Sequence, residues 1–163
     1  MTTLIHQDTD IIYLDYTFRE EPDGAYFKLP HYTWMSSVYG DNYPVLMDRD
    51  KHLIEIDNEY WQSKYSDIEA SLTGDVLILG LGIAILDQFL VTGSSWKWVE
   101  NNAWLAANIV PVNGTVHEGD ASDMDFLATL GTFDTILIDF PLDKRMDWAT
   151  IGNVGYNVIE MRL

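Results

Sequence analysis

The apolar positions change rhythm near residue 74. Before it, short runs mix apolar and polar residues. After it, runs that are apolar throughout recur between helical stretches. Residues 11–18, Ile-Ile-Tyr-Leu-Asp-Tyr-Thr-Phe, are rich in β-branched and aromatic side chains and predict a strand. Glu21-Pro22-Asp23-Gly24 supplies turn chemistry, and 25–29 and 32–39 read as two more short strands. Val45-Leu46-Met47 and residues 52–56 flank the charged turn Asp48-Arg49-Asp50-Lys51, which predicts a hairpin. Asp57 is placed to cap a helix over 58–72, and Gly74 to end its exit turn.

Residues 75–79, Asp-Val-Leu-Ile-Leu, have the continuous apolar character of a strand covered on both faces. Gly80-Leu81-Gly82 follows, then a helical stretch to about Val91. Residues 96–100 and 115–118 predict the next two strands, with an alanine-containing helix over 101–108 between them. A helix over 122–130 leads to a strand at 133–139. A short helical piece around 143–151 leads to a last strand over 156–163. Strands alternating with helices indicate βαβ units and a parallel sheet. The expected organisation is a β-rich N-terminal annex over 1–57 and an α/β domain over 58–163.

The chain carries 26 acidic and 9 basic side chains, a formal charge of −17. Such a field repels phosphate backbones, which disfavours a nucleic-acid partner. The absence of cysteine removes disulfides and thiolate metal ligands. The N-terminal residues Met-Thr-Thr-Leu-Ile-His-Gln lack a basic and an apolar signal region. The longest apolar stretch, 76–86, is too short to span a bilayer. The expectation is a soluble, cytoplasmic protein without a membrane partner. His6, His31, His52 and His117 show no metal-ligand spacing, so no metal site is expected. Trp96 and Trp98 alternate on one strand and should share a buried face.

Four places at the ends of the parallel strands could carry chemistry. A bend at Gly80-Leu81-Gly82 between a strand and a helix lets a ligand approach the backbone and aims helix-end amides at it. Glu100 ends the next strand, 18 residues beyond Gly82, where a carboxylate can accept from ribose hydroxyls. Glu118-Gly119-Asp120-Ala121 could read an adenine edge, and Asp120 is also placed to cap the following helix. Asp139, before Phe140 and Pro141, would face the reacting end of a bound nucleoside and could accept or orient a proton. A dinucleotide site competes, but its fingerprint wants a third glycine where this chain has Ile85.

In order and spacing these places resemble class I S-adenosylmethionine-dependent methyltransferases, most nearly their spermidine-synthase-like branch. Residues 76–82, Val-Leu-Ile-Leu-Gly-Leu-Gly, look like the family's glycine motif. Trp98-Val99-Glu100 looks like its ribose-binding acid, and Gly119-Asp120-Ala121 like its adenine-binding turn. Residues 133–139 look like the strand carrying its catalytic aspartate. The β-rich first half, with Asp57-Asn58-Glu59-Tyr60-Trp61-Gln62 after it, is similar to the family's N-terminal sheet and the segment that follows. The resemblance covers about residues 30–141. It implies a Rossmann-like, mostly parallel sheet with helices on both faces, and S-adenosylmethionine as cofactor. It implies Asp139 as catalytic residue and Gly80, Gly82, Glu100, Asp120, Ala121 and Gln62 as cofactor-binding. Ile83 stands where the family has a polyamine-holding aspartate.

The leading expectation is a small transferase moving a methyl group to a small-molecule acceptor. The alternatives are a non-catalytic descendant acting as a binding or self-assembling protein, and aminopropyl transfer in polyamine synthesis. A sheet edge left open at the last strand predicts homo-oligomers.

Overall fold

The computed structural model describes residues 1–17, 40–90, 95–140 and 154–160. The chain divides into two compact units, Met1–Tyr65 and Ser66–Leu163.

In the first unit the β-branched and aromatic runs form four antiparallel strands in chain order. They are β1 (Thr3–Gln7), β2 (Ile11–Thr17), β3 (Asn42–Asp48) and β4 (Leu53–Ile56). Leu14, Val45, Met47 and Ile56 are fully buried on the sheet, and register pairs Leu14 with Val45 and Val45 with Ile56. The hairpin expected around residues 48–52 is present. Asp48 closes it by accepting from the His52 amide at 2.8 Å, and Lys51 takes the left-handed conformation (φ 63°) that the tight turn needs. β1 was not anticipated. Its Leu4 and Ile5 are exposed, so it lacks the alternating burial that marks a strand. Its pairing with β2 holds it in place.

The helix expected over 58–72 is shorter, α1 (Glu59–Glu69), and its cap differs by one residue. Asn58, not Asp57, accepts the Trp61 amide through its side chain at 3.1 Å. Asp57 instead accepts from the Gln62 amide nitrogen at 2.8 Å. Trp61 and Tyr65 lie one turn apart on the buried stripe of α1, and the Tyr65 hydroxyl donates to buried Glu55 at 2.6 Å. The turn at 21–24 and the strands expected over 25–29 and 32–39 lie outside the described residues.

In the second unit, β5 (Val76–Leu79) has all four side chains fully buried, as its unbroken apolar run demands. Around it lie β6 (Trp96–Glu100), β7 (Thr115–Glu118), β8 (Phe133–Ile138) and β9 (Gly155–Glu160), all parallel, in the order β7-β6-β5-β8-β9. Two short helices connect them, α2 (Ala103–Asn108) and α3 (Met124–Thr129). Leu127 of α3 packs on the face formed by Leu77, Leu79, Val99, Ile136 and Ile138. α2 packs against β6 and β7. Trp96 and Trp98 are both buried, and the Trp98 indole donates to the Asn113 carbonyl at 2.7 Å.

Two expectations fail here for local reasons. The helix predicted after the glycine bend is only a 3-10 turn, Ile85–Phe89. Ala84 before it is left-handed (φ 57°), which an α-helix cannot pass through, and Leu90 after it is already extended. Asp120 does not cap the helix after β7. Asp123 does, accepting from the Phe126 amide at 3.0 Å, while Asp120 bonds Ser122 two residues on. The helical piece expected around 143–151 lies outside the described residues. Among the described residues no helix is long and apolar enough to cross a membrane.

Gly80 shows what binds the sheet's centre. Its φ is 105°, and a Cβ built on it would fall on the carbonyl oxygen of Asp139, backbone against backbone. Gly131, at φ 115°, faces open space. Gly80→Ala is therefore expected to cost about 3 kcal/mol or more in urea unfolding, against about 1 kcal/mol for Gly131→Ala. Equal costs would show that only the dihedral matters.

Candidate functional site

Because the five strands are parallel, their carboxyl ends share one edge, and four of them bring a carboxylate there. Glu100 ends β6, Glu118 ends β7, Asp139 follows β8 and Glu160 ends β9. Register sets Glu100 beside Glu118 and Ile138 beside Glu160. β5 ends at Leu79 and brings no carboxylate; Gly80 follows it. The strand-end acids are a consequence of topology: a parallel sheet covered by helices has its solvated, polar rim where the strands stop.

Glu100 is the best-defined member. It is buried, 8% exposed, in a protein whose carboxylates mostly face water. Its Oε2 accepts the amides of Leu81 at 3.1 Å and Gly82 at 3.3 Å. Its Oε1 accepts the amide of Asn102 at 2.8 Å. The N–H groups of the bend, expected to face a ligand, are taken here by the chain's own carboxylate. Asn102 in turn caps α2, its side chain accepting from the Leu105 amide at 3.0 Å. One side chain therefore joins the β5 bend, the end of β6 and the start of α2. A carboxylate has roughly four lone-pair positions. Three are in use, which leaves about one for a ligand hydroxyl.

The neighbouring backbone is tied in as well. The Asp139 amide donates to the Leu79 carbonyl at 2.7 Å, and the Gly119 amide to the Glu100 carbonyl at 2.9 Å. The expected residues Gly80, Gly82, Glu100 and Asp139 are thus linked into one contiguous strand-end assembly, with Gly119 attached to it. A Cβ on Gly119 would strike the Phe126 ring, so this glycine is held close to α3. Asp120, next in the chain, is exposed and spends one oxygen on the Ser122 amide and hydroxyl, at 2.9 and 2.7 Å. Ala121 packs against the core cluster under α3. Gln62 belongs to the first unit, where its amide is bonded to Asp57.

Other members were not singled out from sequence. Glu160 reaches the rim because register sets it beside Ile138, the last residue of β8; residues 161–163 of the expected strand lie outside the described residues. Asn102 carried a signal that could have been used: an asparagine just before an alanine-rich helix is a capping residue. His117, beside Val99 in register, has its pKa held below the usual 6.5, first by partial burial and then by the Lys97 ammonium. A neutral imidazole therefore lies next to the acidic rim at neutral pH. Among the described residues no group of His, Cys, Asp and Glu is arranged to hold a metal ion.

No family model matches the chain, and no curated protein matches it. What this rim can do chemically is bind and orient. It offers carboxylate acceptors around the Gly80-Leu81-Gly82 bend: Glu100 buried, Asp139 and Glu160 half-buried and Glu118 exposed.

Glu100→Gln tests the internal role of the carboxylate. An amide presents one oxygen and one NH2 group, so at least one of the three donors would face another donor. The expected loss is about 1–3 kcal/mol of unfolding free energy, with the Leu81, Gly82 or Asn102 amide gaining hydrogen exchange. Unchanged stability and exchange would mean that these bonds contribute nothing.

Proposed function

We propose that the second unit is a Rossmann-like nucleoside-binding domain that takes S-adenosylmethionine and passes its methyl group to a small acceptor. Numbered from β5, the strand order reads 3-2-1-4-5, which matches the central order of doubly wound sheets. The path moves outward from β5 to β6 to β7, then returns across β5 to β8. Right-handed crossovers in opposite directions would set α2 and α3 on opposite faces. The order reverses between β5 and β8, and in open α/β sheets ligands bind outside the carboxyl ends at that switch point. The observation that carries the reading is that Gly80 and Asp139 meet at this point, with Glu100 one strand away.

In this reading the remaining acceptor position of Glu100 takes one ribose hydroxyl. The methionine portion runs along the bend at Gly80 and Gly82, on the side away from the Asp139 carbonyl that packs against Gly80. Asp120 and Ala121 border the adenine. When bound, S-adenosylmethionine supplies a methyl group already activated by its sulfonium. Asp139 orients the acceptor in line with that methyl and receives the proton the acceptor gives up. Alignment does most of the work, since holding reactants in attack geometry can be worth about 7–11 kcal/mol.

A second reading has its own support. Glu100 spends three of its bonds on the chain's own amides, and the bend continues into a 3-10 turn too short to present a helix end. A unit that kept this scaffold and lost turnover would look the same at Glu100.

Calorimetry separates these readings. The proposal expects saturable binding of S-adenosylmethionine and S-adenosylhomocysteine, weaker binding of NAD, and loss of binding in Asp120→Ala. Asp139→Asn should keep binding and lose transfer to amine or hydroxyl acceptors. Binding without turnover in the unaltered protein supports the second reading. No saturable heat with any adenosyl ligand removes the transferase reading and leaves the second only as a scaffold that binds no nucleoside.

A further inference from the structure

We infer that the β7 edge of the second unit, with the loop carrying Val110 and Val112, docks a second copy of this chain. Four observations converge on this surface, and none depends on the nucleoside reading. β7 is an edge strand: among the described residues it pairs with β6 alone. Such an edge offers a row of backbone donors and acceptors to another strand.

Val110 and Val112 are 80% and 84% exposed, the most exposed large apolar side chains after Met1 among the described residues. Two valines in water are ordinary for a loose loop, but this loop is anchored. The Asp87 carboxylate accepts the Val112 amide at 2.7 Å and the Asn113 amide and side-chain nitrogen, both at 2.9 Å. The Asn113 carbonyl accepts the buried Trp98 indole, and Pro111 between the valines is buried. Val112 cannot turn inward without breaking these bonds, and Val110 is joined to it through buried Pro111. They are fixed outward, so little conformational entropy remains to be lost when a partner covers them.

Charge identifies the partner. Residues 101–117, which span α2, the valine loop and most of β7, contain no Asp, Glu, Lys or Arg, in a chain of formal charge −17. A basic partner would be drawn to the acidic faces and gain nothing here. Two copies of an acidic chain repel everywhere except where both are uncharged, and an uncharged surface is its own complement under two-fold symmetry. In a two-fold antiparallel pairing about Val116 and His117, Glu118 would meet Thr115 of the second copy, so like charges are not opposed. The β1 edge also exposes Leu4 and Ile5, but Asp8 and Asp10 follow directly and Asp15 pairs with Thr3. That edge is a control.

Sedimentation of the full chain at micromolar concentration tests this. The expected species has twice the 18.7 kDa chain mass. The association should tighten as salt rises from about 0.05 to 0.5 M, because screening relieves repulsion between acidic copies. The double variant Val110→Glu, Val112→Glu should sediment as a monomer with unchanged circular dichroism, and Ile5→Glu should remain dimeric. As the chain has no cysteine, Val112→Cys carries a single spin label without further change. One defined label-to-label distance in the dimer is expected. A monomer at every salt concentration, a dimer that survives the double valine change or fails in Ile5→Glu, or no dipolar coupling at position 112 would each overturn the assignment.

Discussion

The Glu100 carboxylate takes amide hydrogens from Leu81, Gly82 and Asn102, and the arrangement of the carboxyl edge depends on it. Removing such a group from water is costly unless its lone pairs are used. Here the partners are amides that the fold leaves over: two in a bend that has just left a strand and one at the threshold of a short helix. The exchange satisfies both sides. It also fixes the direction of the chain after β5, since the bend cannot open while its N–H groups remain on Glu100.

The same economy governs the contact between β5 and β8. Gly80 lies against the Asp139 carbonyl because the two strands are hydrogen-bonded to their ends and leave no room for a side chain. A glycine that sequence patterns associate with ligand approach is therefore already required by the sheet. The two demands do not compete. The packing against Asp139 takes up one side of Gly80, and the strand-end acids lie around the bend in either reading. This is why the transferase reading and the non-catalytic reading share one geometry and differ in chemistry alone.

Much of the second unit was legible in the chain because its signals are local and consistent. The apolar run of β5, the alternating tryptophans of β6 and the Phe133 to Ile138 run each lead to a strand within a residue or two. What escaped was set by long-range pairing or by unusual dihedrals. β1 exists through its pairing with β2, not through its own burial pattern. The missing helix after the bend follows from a left-handed alanine, a state for which Ala84 carries no sequence mark. Asp57 and Asp120 looked like caps, but Asn58 and Asp123, one and three residues later, hold those places. Glu100 was legible as an important acid. That its oxygens turn toward Leu81, Gly82 and Asn102 could not be read from spacing, because spacing carries no side-chain direction.

We place the adenosyl group of the proposed ligand at the bend held by Glu100. Amide NMR during titration with S-adenosylhomocysteine tests it most directly. Saturable shifts are expected, concentrated at Leu81, Gly82, Asn102 and Asp120, with the Glu100 carboxyl carbon moving in step. Saturable binding that leaves those resonances in place and shifts others would contradict it.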